Sequence, residues 1–291
     1  MSYKYEDKLF LISGAAGGIG TAMCQYIAVR GGKILALDKD KRALMKLAEN
    51  LNSPAHRFYD LDLTDKNQVK KIVSELENDF SHIDVIINNV GMTSAQRFDE
   101  RSFESVELEL GVNLISPLFL THQVLPLLKK SAEPFLITTV SLGGIFPLGE
   151  TPIYTTTKFA LRGWMLSLAM DFKDKGIKVG SIMPSATDTN MLRQEALDGG
   201  NSLQFLDPPQ KPADVVKAMA KLLDNPRYEV YPKPSESWLV RVAMLSPGLI
   251  PKLLPLFKGR GERGMKKYIN SLVASGIVEI DNEGKYKLIR E

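Results

Sequence analysis

The chain has 291 residues, 44% hydrophobic and 24% charged, with 37 Lys and Arg against 34 Asp and Glu for a formal net charge of +3. That balance excludes a disordered, collagenous or membrane-spanning chain, and basic residues scattered among acidic ones leave no footprint for nucleic acid. The single cysteine, Cys24, excludes an internal disulfide framework and a zinc cluster built on thiolates, so a reducing, cytoplasmic setting is expected.

Residues 1–8 carry charges of both signs where a signal peptide needs an apolar stretch, so none is expected. From there β-rich runs alternate with helical stretches. An apolar run at 9–12 ends at a glycine cluster and is followed by a helical stretch over 19–29. A second run, 33–37, ends at Asp38 and leads into a helix over 41–51. A third, 56–61, precedes a helix over 68–79. A fourth, 84–87, precedes a long helix over 103–130, a fifth, 135–140, precedes a helix over 154–173, and a sixth covers 178–183. This alternation predicts an α/β fold, a doubly wound parallel sheet with helices on both faces. In such sheets ligands bind outside the C-terminal ends of the strands, so residues that end strands are the first candidates for function.

Beyond Pro184 the pattern loosens. Residues 186–210 show no clear strand, 213–224 read as an amphipathic helix, and 228–231 as a last strand. The longest apolar candidate, 238–257, is interrupted by Arg241 and Lys252, and Pro247, Gly248, Pro251 and Pro255 break any continuous helix. A spanning helix needs ~20 mostly uncharged residues, so a lid over a pocket is the favoured reading and peripheral contact with a membrane interface the alternative. Residues 262–275 and 276–289 read as a helix and a hairpin turning at Asp281-Asn282-Glu283-Gly284, a short C-terminal extension that caps the body.

Ser13-Gly14-Ala15-Ala16-Gly17-Gly18-Ile19-Gly20 follows a strand and opens a helix. Glycines let the backbone approach a pyrophosphate, and the helix start supplies N–H donors. Gly14-x-x-x-Gly18-x-Gly20 and Gly14-x-x-Gly17-x-x-Gly20 fit equally well, and a tight packing turn is the competing reading. Asp38 stands 18 residues beyond Gly20 at the end of the second run. A carboxylate there accepts hydrogen bonds from the adenosine ribose and repels a 2′-phosphate, which favours NAD over NADP. Lys39, Lys41 and Arg42 beside it keep NADP as the alternative, and Asp38 could instead cap the next helix. Residues 1–235 are thus expected to form a dinucleotide-binding catalytic domain, with 236–291 as lid and extension packed on it.

Tyr154 and Lys158 lie four apart at the start of a helical stretch, on one face. A nearby ammonium favours tyrosinate, so the tyrosine pKa is expected to fall from ~10 toward the working pH, and such a tyrosine exchanges a proton with a substrate oxygen. Ser141 ends the fifth strand, 13 residues before Tyr154; Asn88-Asn89-Val90-Gly91 ends the fourth; Asn113 lies inside the long helix. With these motifs in this order, from about residue 8 to residue 231, the chain resembles the short-chain dehydrogenase/reductase family.

The resemblance implies a Rossmann-like fold and a hydride transfer between a nicotinamide cofactor and a secondary alcohol or ketone. It implies Tyr154 as general acid/base, Lys158 lowering its pKa and holding the nicotinamide ribose, and Ser141 orienting the substrate oxygen. Asn113 would hold a water that continues a proton relay. Ser13, Gly14, Gly18, Ile19 and Gly20 would cradle the cofactor. Asn88, Asn89 and Gly91 would lie beside the adenosine ribose and sheet edge, Asp62 and Leu63 at adenine, and Pro184, Thr187 and Thr189 at the nicotinamide carboxamide. It also implies a homodimer or homotetramer. Ser13, Val90, Ser185 and Thr187 depart from the family's usual Thr, Ala, Gly and aliphatic residue. The apolar tail resembles those of members acting on lipophilic substrates.

Two other functions compete: a nucleotide-sugar epimerase or dehydratase, which shares Tyr-x-x-x-Lys, and a non-catalytic dinucleotide sensor. Asp60 and Asp62 alternate on one strand as a carboxylate pair would, but nothing else supports hydrolysis. His56, His82 and His122 follow no metal-ligand spacing, so no metal site is expected.

Overall fold

The computed structural model describes residues 2–281 and 285–289, without the side chains of Glu236 and Leu239. Among these, β1 (Leu9–Ser13), β2 (Lys33–Asp38), β3 (Arg57–Asp60), β4 (Val85–Asn88), β5 (Phe135–Thr139), β6 (Lys178–Ile182) and β7 (Glu229–Val230) form one parallel sheet in the order β3-β2-β1-β4-β5-β6-β7. β1, β4 and β5 are buried along their whole length, as strands covered on both faces must be. Successive side chains point to opposite faces. Phe10 and Ile12 of β1 enter a core with Met23 and Ile27 of α1 (Gly18–Ala28), Leu44 and Leu47 of α2 (Lys41–Leu51). Leu9 and Leu11 enter the opposite core with Val69 and Leu76 of α3 (Lys66–Asp79). This is the doubly wound, Rossmann-like arrangement that the alternation predicts.

The strand order reverses around β1, which pairs with β2 on one side and β4 on the other. Ser13 stands level with both Leu37 and Asn88. The glycine turn after β1 and residues 89–91 after β4 are therefore neighbours at the switch point, where such sheets open a crevice.

The long helix predicted over 103–130 is interrupted. α4 (Phe103–Leu110) passes through a π-helical turn, Gly111–Ile115, into α5 (Ser116–Leu128). By length and composition residues 103–128 would suffice to cross a membrane, more so than the tail, but Leu120, Val124 and Leu127 pack into the core against the sheet. α6 (Pro152–Asp171) covers the same face, with Met165 in that core. On the other face lies α8 (Pro212–Asp224), with Val215, Met219 and Leu222 beside α1.

The region predicted without strands holds α7 (Asn190–Leu197) and a 3-10 turn, Ser202–Phe205. The tail differs from its sequence expectation. α9 (Pro234–Ala243) is followed by α10 (Ile250–Ala274), which runs continuously through Pro255. Pro251 falls in the first turn, where an N–H has no helical partner, so only Pro255 forfeits a bond. α10 sits on Ser202–Phe205 because Gly261 and Gly264 leave room. A methyl group on Gly264 would lie 1.9 Å from the Phe205 carbonyl oxygen. The Tyr268 hydroxyl donates to Asp188 Oδ1 at 2.6 Å, and its ring lies 5.3 Å from that of Phe205. β8 (Val278–Ile280) pairs antiparallel with β9 (Tyr286–Leu288). Of the expected hairpin turn, Asn282, Glu283 and Gly284 lie outside the described residues.

Gly264→Val is expected to destabilise by about 1–3 kcal/mol, the usual penalty of overpacking. In Gly259→Ala the added methyl meets only Arg263 Nη1, at 3.7 Å, so Tm should hold or rise. Thermal melts that rank the two variants equally would contradict this packing.

Candidate active site

The crevice begins at the glycine turn. Gly14 has φ +63°, and a methyl on it would lie 2.9 Å from Val90 Cα; one on Gly20 would lie 2.1 Å from the Gly14 oxygen, and one on Gly18 2.9 Å from Thr189 Cγ2. At Gly17 the nearest atom would be 3.4 Å away. Of the two glycine spacings, the tight positions are thus Gly14, Gly18 and Gly20. Asn89 locks the turn, its Nδ2 donating to the Gly14 oxygen at 3.1 Å and its backbone N–H to Ser13 Oγ at 3.2 Å. α1 begins with no side-chain cap and no acidic residue in its first turn, so its leading N–H groups are available to an anion.

A cavity of about 800 Å³ opens here, faced by Gly14, Gly18, Ile19, Asp38, Asp62, Leu63, Asn89 and Gly91. Three residues expected at the cofactor stand behind its wall. Ser13 is fully buried, its hydroxyl tying β1 to β4, and Gly20 packs beneath Gly14. Asn88 ends β4 inside the core, its Nδ2 donating to Thr121 Oγ1 at 2.8 Å; pleating turns it away and leaves Asn89 on the cavity side.

Asp38 Oδ2 accepts from the Ala16 N–H at 2.9 Å and Oδ1 from the Asp40 N–H at 3.0 Å. It does not cap α2; Asp40 does, accepting from the Ala43 N–H at 3.0 Å. Burial works to raise the Asp62 carboxyl, but the Thr64 N–H and hydroxyl, both donating to Oδ1, outweigh it and hold it below the usual range. Asp62 lies beyond β3, whereas Asp60 is exposed on the strand, so the two form no carboxylate pair. A dinucleotide fits this half of the cavity: an uncapped helix start, a turn that only glycines allow, and a carboxylate at the end of β2.

The same cavity is faced by Ser141, Tyr154, Lys158, Pro184, Thr187 and Thr189. A methyl on Gly143 would lie 3.1 Å from Tyr154 Cε1 and 3.4 Å from Ser141 Oγ, so both groups converge there. Ser141 Oγ also accepts from the Gly143 N–H at 3.0 Å. Lys158 Nζ lies 5.5 Å from the centre of the Tyr154 ring and donates to the Thr139 carbonyl at 3.4 Å. The expected fall in the Tyr154 pKa is not found. Burial pushes it up to about 12, against the pull of the Ser141 hydroxyl. Burial likewise pushes Lys158 down to about 8, opposed by the charge of Glu109. For both groups burial is the largest cause of the shift.

Asn113 sits in the π-helical turn, fully buried. Its Oδ1 accepts from the Met92 N–H at 2.7 Å, and its Nδ2 donates to the Met92 carbonyl at 2.8 Å and to Thr157 Oγ1 at 3.3 Å. A methyl on Gly91 would lie 3.6 Å from Lys158 Nζ and 3.7 Å from Asn113 Oδ1. Asn113 thus clamps the loop after β4 beside Lys158 without facing the cavity. The π turn is the local irregularity that aims it.

Several residues of the site carry no sequence signal. Gln210 stitches the loop after β6: its backbone pairs with Ala186 and Asp188, and its Nε2 donates to Ser185 Oγ, giving the unusual serine a partner. Glu195 of α7 faces the cavity, bonded to Gln204, and burial pushes its carboxyl up to about 7. Glu109 is buried against Arg101, whose Nη1 donates to Oε2 at 2.6 Å. Val240, Ala243, Ile250, Leu253, Leu254 and Phe257 of the tail close the outer end. Only the last group had a hint, the apolar composition of 238–257.

The model of the short chain dehydrogenase family matches residues 8–198. An uncharacterized oxidoreductase of Staphylococcus epidermidis is 28% identical over 188 residues, covering 65% of this chain and 81% of its own. Another from Staphylococcus aureus is 23% identical over 222 residues, covering 76% and 93%. Among solved structures, a short chain dehydrogenase/reductase from Burkholderia phymatum in complex with NAD superposes with a TM-score of 0.77 at 20% identity, over 85% of this chain and 96% of that one. A 3-ketoacyl-(acyl-carrier-protein) reductase from Brucella melitensis complexed with NADH gives 0.70 at 24% identity, over 79% and 99%. On the family match and the sheet it shares with these structures, the chain belongs to the short-chain dehydrogenase family.

Proposed function

We propose that this oxidoreductase transfers hydride between a nicotinamide dinucleotide, NAD in preference to NADP, and a lipophilic secondary alcohol or ketone. The observation that carries the reading is the convergence of Tyr154 and Ser141 in the cavity that also contains the glycine turn. The apolar outer wall, with Phe146, Leu148, Leu206 and Leu254, supports a lipophilic substrate.

When bound, the dinucleotide accepts or supplies the hydride. The remaining work is done by the chain. Ser141 donates a hydrogen bond to the substrate oxygen and fixes its place. Tyr154 gives its hydroxyl proton to that oxygen in reduction and takes it back in oxidation. Both donors aim at the one atom whose charge changes, so little reorganisation is needed. Lys158 holds positive charge beside the phenol, Asn113 and Thr157 fix the loop against it, and the buried Glu109 favours its protonated form. The assembly proposed is a homodimer or homotetramer. Exposed Leu108 on α4, Ile115 in the π turn and Met170 on α6 support pairing through these helices.

Tyr154→Phe is expected to lower kcat at least about a hundredfold, the usual contribution of a positioned acid, with dinucleotide affinity by calorimetry little changed. Near-parental turnover would overturn the assignment. Asp38→Asn keeps an acceptor for the Ala16 N–H but removes the charge, so the ratio of kcat/KM for NAD over NADP should fall about tenfold or more; an unchanged ratio would remove Asp38 from cofactor choice. In ketone reduction Tyr154 must be neutral, which holds up to about 12, and Lys158 charged, which holds only below about 8. The rate should therefore fall on the alkaline side of pH 8, and a profile flat through that range would contradict the roles given to the pair. Absorbance of the reduced nicotinamide, followed across secondary alcohols and sugar nucleotides, separates this reading from an epimerase.

A further inference from the structure

We infer that α9, α10 and the segment between them form a docking face for an anionic lipid bilayer, with the mouth of the substrate cavity in that face. This rests on the lipophilic substrate proposed above and extends it to the route of entry. The two helices are two-sided. Val240, Ala243, Ile250 and Leu254 line the cavity. On the outer side Trp238, Val242, Leu245, Leu249 and Leu256 are exposed, Leu245 by 81% and Leu256 by 75%. The spacing of four between Trp238 and Val242, and between Leu249 and Leu253, puts each pair on one helical or near-helical face. Single exposed apolar residues are ordinary, but a run of this density marks an interaction surface. Leu253 and Phe257 belong to both sides, lining the cavity and standing exposed. The cavity therefore reaches the surface inside the apolar patch.

Charge selects the occupant. Residues 234–274 contain seven Lys and Arg against two acidic residues, a net +5, which leaves −2 for the rest of the chain. Lys252, Lys258, Arg263, Lys266 and Lys267 are all exposed. An apolar face bordered by cations suits the boundary between anionic headgroups and acyl chains. A second copy of this chain would bring the same positive charge against it, which disfavours self-association through this face. A lipophilic alcohol or ketone partitions into the bilayer, so a mouth placed there meets its substrate at high local concentration.

Vesicle flotation of the full chain tests the inference. The chain should float with phosphatidylcholine vesicles containing phosphatidylglycerol and not with phosphatidylcholine alone. Raising salt from about 0.1 M to about 1 M, which shortens the screening length from ~10 Å to ~3 Å, should reduce the bound fraction about tenfold. The double variant L245D/L256D alters residues that do not line the cavity; it should abolish flotation and leave turnover of a short, water-soluble secondary alcohol unchanged. No flotation of the parent chain with anionic vesicles, or flotation that survives both substitutions, overturns the docking face. A dimer that these substitutions disperse, in a parent chain that does not float, assigns the face to a second copy and overturns it as well. Flotation needs no turnover, so a chain that floats but oxidises no alcohol overturns the catalytic reading alone.

Discussion

The close approach of two backbones at the switch point of the sheet is the constraint on which the site depends. Gly14 turns with positive φ against Val90, and Gly20 lets α1 begin directly beneath it. Asn89 holds the two loops together by bonding to Gly14 and Ser13. If a side chain intervened at either glycine, the helix start would move outward and the loop after β4 would lose its neighbour. That loop, through Met92 and Asn113, is also what stands beside Lys158. One steric condition at the N-terminal turn thus reaches the opposite end of the cavity through hydrogen bonds.

Around Tyr154 and Lys158 desolvation is the dominant force. It raises the phenol and lowers the ammonium, so burial sets the protonation of both groups. Nearby carboxyls modify this. Glu109, fully buried and bonded to Arg101, works against the loss of the Lys158 proton. Glu195, in the outer half of the cavity, is itself pushed toward neutrality by burial. A low-dielectric site with few, placed charges suits proton exchange with a single oxygen.

The outer half follows a different logic. The family match ends at residue 198, and the structure beyond it that closes the cavity is built from packing. Gly261 and Gly264 bring α10 against Ser202–Phe205, and Tyr268 ties it to Asp188 next to the loop after β6. α10 is thereby held by the loop after β6, whose Thr187 and Thr189 line the same cavity, so changes in the tail act directly on the shape of the cavity.

The sequence by itself determined the sheet and its order of motifs. Alternation of short apolar runs with amphipathic stretches predicts all seven parallel strands, and the glycine cluster, Asp38, Ser141, Tyr154 and Lys158 are legible because each sits next to a strand end or at a helical spacing. Those signals are local, and locality is why they survive in one dimension. Tertiary structure alone decided which of them meet the cavity. Pleating turned Asn88 inward and Asn89 outward, the π turn set Asn113 behind the wall, and α10 ran through Pro255 because only one helical bond was at stake. It also decided that Gln210, Glu195 and Glu109 belong to the site, since each arrives from a distant segment whose own pattern says nothing of its neighbours. The electrostatic balance at Tyr154 was settled in the same way: burial is a property of the packed volume, and spacing along the chain carries no measure of it.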